Sequence, residues 1–206
     1  MQGQTNRSLI LATHNPGKIR EYYDALTPLG YRLKTAEEVG VCLPEETGQT
    51  FLENARIKAR AVAQQTGLLA LGDDSGLAVD ALDGAPGVFS ARYAGPTATA
   101  EENNEKLIAA LQGVPWEQRT ATFICTLSLW DSQGEVTWVE GRCRGYVLKR
   151  PRGKNGFAYD PYFWVPQLQK SYAELNTEEK NRISHRGLAL RHLYQRLAEM
   201  EGRYSL

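Results

Sequence analysis

The sequence predicts an α/β fold built on a mixed sheet, and three observations carry that prediction. A short apolar run at residues 9–12 passes through a polar knot into a helical pattern, the opening of a βαβ unit. A second apolar run, "LLALG", follows a capped helix. Two alternating stretches, 120–130 and 135–142, then read as a long β-hairpin, which adds antiparallel strands to the earlier units.

Residues 9–12 have the composition of a fully buried strand. Beyond them Ile19, Tyr22, Tyr23 and Leu26 recur at helical intervals until Pro28 and Gly30 end the pattern, so a helix is expected over 18–29 and a strand over 31–33. After the acidic loop "PEETGQT", Thr50 and Glu53 have the spacing of a capping box for a helix running to about Gln65, which Gly67 stops. "LLALG" is then a strand that ends at Asp73-Asp74-Ser75-Gly76. The stretch "LDGAPGVFSARYAGPTA" is too rich in Gly and Pro for a regular element, and a helical pattern resumes at 101–111. The hairpin strands meet through "DSQG". A loop, "PRGKNGFAYDP", leads to the aromatic strand "YFWV", and a last helix is expected over roughly 186–200. No internal repeat or low-complexity tract interrupts this order.

With 206 residues, 42% of them apolar, the chain can bury a core without disulfides or metal staples, so one domain, or two tightly joined lobes, is expected. Twenty-four basic residues balance twenty-four acidic ones. No whole-molecule field attracts nucleic acid or an anionic membrane, and any anion site must be local. Cys42, Cys125 and Cys143 are odd in number and lack metal-ligand spacing, which points to a reducing compartment and to core or surface roles. The first eight residues, "MQGQTNRS", lack the apolar segment of a signal peptide, and no run reaches the ~18 apolar residues of a membrane span, so a cytoplasmic protein is expected.

Four clusters have the residue types that chemistry needs. The first is Thr13-His14-Asn15-Pro16-Gly17-Lys18. It fails as a Walker A loop, because Ala12 and Ile19 stand where that motif needs glycine and a hydroxyl. It still offers a helix N-terminus, a proline whose missing donor is harmless there, and a lysine, all suited to an anion. A plain β-to-α turn with Asn15 as N-cap accounts for the same residues.

The second cluster is "GDDSG". Adjacent strand residues point to opposite faces, so Asp73 and Asp74 should differ in role, one serving as metal ligand or base and the other holding the turn. An Asx-type turn is the simpler reading. The loop "PEETG" can supply a further carboxylate to a hard cation beside Asp74, or it is only a solvated acidic loop.

The third, "GKNGFAYDPYF", combines glycines that permit close backbone approach with Phe157 and Tyr159 as stacking faces and Asp160 as an acceptor for a base edge or sugar. Tyr162, Phe163 and Trp164 read better as core. The fourth, "LNTEEKNRISHRG", brings Lys180, Arg182, His185 and Arg186 to the entry of the last helix, with Asn176 and Glu179 placed to cap a short turn. A charge run of this kind is usually a solvated face. Cations at a helix N-terminus oppose the dipole, however, and a bound anion would relieve that conflict.

Taken together and in order, "LATHNPGKIREY", "EETGQTFLENARIKA", "DDSGLAVDALDGAPGVFSARYAG", "GFAYDPYF" and "EEKNRISHRGLAL" resemble the inosine/xanthosine triphosphate pyrophosphatase family, hydrolases of non-standard purine nucleotides. The resemblance runs from about Leu9 to Leu190. It implies that Thr13, Asn15 and Lys18, with the backbone of His14 to Gly17, hold the triphosphate. It implies that Glu46 and Asp74 hold Mg²⁺, that Asp74 accepts the proton of the attacking water, and that Ser75 contacts substrate. Phe157, Ala158, Tyr159 and Asp160 match the block that usually reads FGYD, Lys180 matches the family's lysine, and His185 with Arg186 match its base-reading pair.

Ala158 departs from the usual glycine, which bears on fine specificity through a methyl group or a restricted positive φ. Lys58 and Arg92 are further candidates to face the phosphates, or surface charges. The resemblance also implies two lobes around a nucleotide-binding cleft, a homodimer, and hydrolysis of ITP, dITP and XTP to the monophosphate and pyrophosphate. A regulatory nucleotide-binding protein and a phosphatase releasing single phosphate are the rival classes.

Overall fold

The computed structural model describes residues 8–203, so the polar N-terminal run lies outside the described residues except for Ser8. The first strand, β1 (Ser8–Ala12), leads through Asn15 into α1 (Pro16–Leu26). The helix starts two residues earlier than the periodicity suggests because Asn15 caps it and Pro16 occupies its first position. Thr27–Leu29 tighten into a 3-10 turn that Gly30 closes at a φ of 84°. The next strand, β2 (Arg32–Thr35), pairs in parallel with β1, Leu9 standing opposite Leu33.

The second helix, α2 (Phe51–Thr66), begins with the expected capping box. Glu53 N–H donates to Thr50 Oγ1 at 3.2 Å, and Thr50 N–H donates back to Glu53 Oε2 at 3.1 Å. Such a cap stabilises a helix by about 1 kcal/mol. Gly67 ends it in the left-handed region, as expected.

The third strand, β3 (Leu69–Val79), pairs in parallel with the other side of β1. It corrects one expectation: the strand does not stop at "DDSG" but continues to Val79. The apolar alternation resumes after the polar residues, and Leu77 and Val79 enter a second buried core. The two aspartates are therefore held in strand geometry, not in a turn.

Past two 3-10 turns, Asp80–Leu82 and Gly87–Arg92, α3 (Ala100–Ala110) carries its own capping box between Thr99 and Glu102. The hairpin consists of β4 (Thr120–Asp131) and β5 (Gly134–Val147), the latter running five residues past the end the sequence pattern suggests. Its extra length pairs antiparallel with β6 (Phe163–Val165), where Tyr146 faces Trp164 and Val147 faces Phe163. Gly145 permits this approach, since a Cβ there would lie 2.7 Å from Phe163 Cζ. A two-residue β7 (Lys170–Ser171), too short to announce itself, completes a seven-stranded sheet in the order β2-β1-β3-β4-β5-β6-β7. The chain continues through α4 (Thr177–Ile183), capped by Asn176 and Glu179 as expected, to α5 (His185–Arg203). The result is the expected α/β class with a long mixed sheet and flanking helices.

The chain divides into two compact units, matching the expected lobes. One comprises the chain up to Asp74, Thr126–Glu140 and the chain from Ala189. Its core gathers Ile10, Ala12, Val62, Ala63 and Ala70. The other comprises Ser75–Cys125 and Gly141–Leu188. Its core is more aromatic: Phe123 stacks on Tyr172 at 5.5 Å and meets Phe163 edge-on at 4.7 Å. None of the three cysteines is in a disulfide; Cys125 is buried and Cys42 exposed.

Gly72 sets how closely β3 approaches α2. A Cβ there would run into the Ala55 carbonyl and lie 2.9 Å from Ala59 Cβ. We expect Gly72→Ala to lower unfolding free energy by roughly 1–3 kcal/mol, the usual cost of overpacking. Urea denaturation measures it, and an unchanged midpoint contradicts the close approach.

Candidate functional site

In the first unit, the polar knot after β1 is a structured turn. Thr13 is buried, and its Oγ1 accepts a hydrogen bond from Asn15 N–H at 3.2 Å. Asn15 Oδ1 in turn accepts from Lys18 N–H at 3.1 Å, while His14, Asn15 and Pro16 are exposed. The turn thus has both forms of the expected geometry: it is a capped β-to-α connection, and it presents a helix N-terminus of the kind that binds anions.

Lys18 and Tyr22 stand one helical turn apart on α1 and reach the same carboxylate. Lys18 Nζ lies 2.8 Å from Asp73 Oδ1, and Tyr22 OH donates to Asp73 Oδ2. Asp73 is only 1% exposed, so it fixes the lysine head at the turn.

The next residue points the other way. Gly72 and Asp74, two apart on β3, share the face toward α2. Asn54 Nδ2 donates to Asp74 Oδ2 at 3.0 Å, and Asn54 Oδ1 accepts from Gly48 N–H at 2.8 Å, which ties the acidic loop to the carboxylate. Lys58, one turn further along α2, places its ammonium 2.5 Å from Glu46 Oε1 and 3.8 Å from Asp74 Oδ1. Glu46 is half-buried and turned inward, whereas Glu45 is exposed. The expected difference in role between Asp73 and Asp74 is therefore realised in their partners.

Burial pushes the Asp74 carboxyl up to about 6, with Lys58 and Lys18 pulling it down and Glu46 pushing it further up. Glu46 and Asp74 already converge on one positive charge. Two carboxylates are the protein contribution magnesium commonly takes, the remaining positions going to phosphate oxygens and water, so these residues fit such an ion. Among the described residues, no cluster of three or more acidic, His or Cys side chains adds to them.

In the second unit, Phe157, Asp160, Lys180, Arg186 and Ser75 come together. Lys180 Nζ lies 2.6 Å from Asp160 Oδ2 and 4.8 Å from the Phe157 ring centre. Asp160 Oδ2 also accepts from Phe157 N–H at 2.8 Å. Arg186 is 1% exposed, donates from Nη2 to Ser75 Oγ at 2.9 Å, and holds its guanidinium 5.9 Å from the Phe157 ring. Phe157 itself is half-buried. Ala158 adopts a φ of 53°, the left-handed region that glycine adopts more easily.

One expectation needs correction. Tyr159 is not an open stacking face: it is 2% exposed, packs in the core, and donates from its hydroxyl to the Ser90 carbonyl at 2.7 Å. The ring is too large and apolar to remain outside when a buried acceptor is available for its one polar atom. His185 is likewise enclosed, stacked on Phe123 at 4.6 Å beside Tyr172. Arg92 packs over Phe89 at 5.3 Å.

Sequence reasoning missed Tyr22 and Asn54. Tyr22 reads as an apolar helix position, and nothing local marks its hydroxyl. Asn54 had a signal: with Lys58 it sits at i, i+4 on the helix face that buries Ala55, Ala59 and Val62. Polar residues on such a face need partners, and those partners are the acidic ones.

The sequence pattern of the Ham1 family matches residues 9–196. Among curated relatives, a dITP/XTP pyrophosphatase of Yersinia pseudotuberculosis is 52% identical over 187 residues, covering 90% of this chain and 95% of the relative. One from Desulforamulus reducens is 49% identical over 184 residues, covering 89% and 92%. Among solved structures, a HAM1 protein from Coxiella burnetii matches with a TM-score of 0.85 at 45% identity, covering 94% of this chain and 99% of that one.

A carboxyl whose pKa is higher folded than unfolded holds its proton more tightly in the native state. Stability therefore falls as pH rises from near 4 to about 6, and the cost persists above that. In metal-free protein, Asp74→Asn should raise unfolding free energy at pH ~7.5 by on the order of 1–2 kcal/mol, with the gain vanishing toward pH ~4. Urea denaturation at both values checks this, and a pH-independent difference contradicts it.

Proposed function

The chain belongs to the Ham1 family, and on that premise we propose that it hydrolyses the non-standard purine nucleoside triphosphates ITP, dITP and XTP to the monophosphate and pyrophosphate. The observation that carries this reading is the buried Asp74, raised to about 6 and flanked by Glu46, Lys58 and Asn54. A regulatory nucleotide-binding protein has no use for a carboxylate tuned toward neutrality.

The chain's own groups have distinct tasks in this reading. The N-terminus of α1 and the ammonium of Lys18, held by Asp73, neutralise the phosphate chain. Asp74 is ionised at neutral pH yet more basic than an ordinary carboxylate, which suits it to accept a proton from water attacking the α-phosphorus. The bond from that phosphorus to the bridging oxygen breaks, and pyrophosphate leaves with the electron pair. Glu46 and Asp74 would hold Mg²⁺, which supplies charge neutralisation at the phosphates and lowers the pKa of water. No covalent intermediate with the protein is needed.

In the second unit, Phe157 offers its ring and Arg186 a guanidinium for recognition of the base, the role the family resemblance implies for this block. ITP and XTP carry a 6-oxo acceptor where ATP carries an amino donor, so donors at that position leave ATP mismatched. Each buried mismatch costs about 1–3 kcal/mol, or roughly tenfold to a hundredfold in discrimination. The proposal extends to a homodimer in the cytoplasm, supported by the family resemblance; no helix among the described residues is long and apolar enough to cross a membrane.

Incubation with ITP and Mg²⁺ should yield IMP and pyrophosphate, and Asp74→Asn should lower kcat by about 10²–10⁴ while the variant remains folded. Release of IDP and single phosphate, or full activity in the variant, overturns the reading.

A further inference from the structure

Residues 157–160 form a tight turn in which Asp160 N–H donates to the Phe157 carbonyl at 3.2 Å. Its second residue, Ala158, has a φ of 53°, and its third, Tyr159, has φ −85° and ψ 1°. A positive φ at the second position of such a turn is one that glycine adopts more readily than alanine. An L-residue such as alanine favours the type I turn, which closes with the same hydrogen bond. The difference lies in the backbone angles of Ala158 itself, and its carbonyl moves with them relative to Phe157.

That carbonyl is held from outside the turn. Asn104, on α3 and 8% exposed, donates from Nδ2 to Ala158 O at 3.0 Å. A carbonyl can only accept, so the orientation of the amide is fixed. Its other end, Oδ1, is buried and has no protein donor among the described residues. The preceding residue behaves differently: Asn103 uses both ends of its amide, on Ala91 O at 3.1 Å and Ala94 N–H at 2.7 Å. A half-satisfied buried amide is costly where it serves only as a brace. Strained backbone persists where its surroundings over-determine it, and here the Asn104 contact does so.

We propose that Asn104, which lies outside every motif singled out in the sequence, is a positioning residue for substrate recognition. By holding its carbonyl it keeps Ala158 at a positive φ and so sets how Phe157 and Asp160 meet the purine. Without the Asn104 donor, Ala158 relaxes toward the type I form and the turn loses its shape. Glycine at 158 makes the positive φ intrinsically accessible and removes most of the need for Asn104. The inference rests on the proposed nucleotide substrate.

The test uses the full chain and two probes, IMP, which carries the base, and inorganic pyrophosphate, which does not. By calorimetry, Asn104→Ala should weaken IMP binding by at least roughly tenfold and leave the pyrophosphate Kd within about twofold. Adding Ala158→Gly to that variant should recover most of the IMP affinity. Equal weakening of both ligands, an unchanged IMP Kd, or no recovery overturns the inference. Should Asn104→Ala fail to fold, Ala158→Gly alone decides: relief of the left-handed alanine raises Tm, and a lowered Tm overturns it. An unsubstituted chain that hydrolyses ITP while Asn104→Ala binds IMP normally sinks this inference alone. A chain that neither hydrolyses ITP nor binds IMP sinks the functional reading beneath it.

Discussion

Two carboxylates in succession on one strand, Asp73 and Asp74, are the constraint from which the first unit's site follows. Strand geometry sends them to opposite faces, and each face meets a lysine one helix away: Lys18 from α1 and Lys58 from α2. Neither carboxylate is free to be a generic surface charge, because both are buried and burial demands partners. Asp73 receives a full ion pair and a tyrosine hydroxyl, which makes it an anchor. Asp74 meets the Asn54 amide and, at longer range, the Lys58 ammonium that Glu46 also binds, and burial raises its pKa. The two sequence neighbours thus differ in partners and surroundings: Asp73 anchors Lys18 and Tyr22, and Asp74 is the carboxylate to which the proposed function gives proton acceptance.

The second unit solves a different problem, that of presenting a flat apolar face and fixed donors near the surface of an aromatic core. Tyr159, Phe163, Tyr172 and His185 fill that core, and their burial turns the adjacent polar residues into a rigid frame. Lys180 and Asp160 neutralise each other, and Arg186 rests on Ser75 beside Phe157. Preorganisation of this kind removes the ordering cost that a flexible loop would bring to binding.

Much of this was legible in the sequence because local rules govern it. The capping boxes at Thr50 and Asn176, the cap at Asn15 and the stop at Gly67 each depend on residues within a few positions. A carboxylate of "PEETG" beside Asp74 was one of two readings the residues allowed and the resemblance singled out Glu46, whereas Lys58 between them was not legible, since the contact joins a loop, a helix and a strand. The continuation of β3 past "DDSG" was not legible, because polar residues inside a strand look like a turn until their buried partners are known. Tyr159 was misread for a related reason: an aromatic beside a Gly-rich loop has the same local signature whether it faces ligand or core. Asn104 carried no local signal at all, its partner lying 54 positions away.

The central claim is that water attacks the α-phosphorus with Asp74 as proton acceptor. Hydrolysis of ITP in water enriched in heavy oxygen, with mass analysis of both products, addresses it most directly. The account predicts the heavy atom in IMP and none in pyrophosphate; label in the pyrophosphate would place the attack on the β-phosphorus and contradict it.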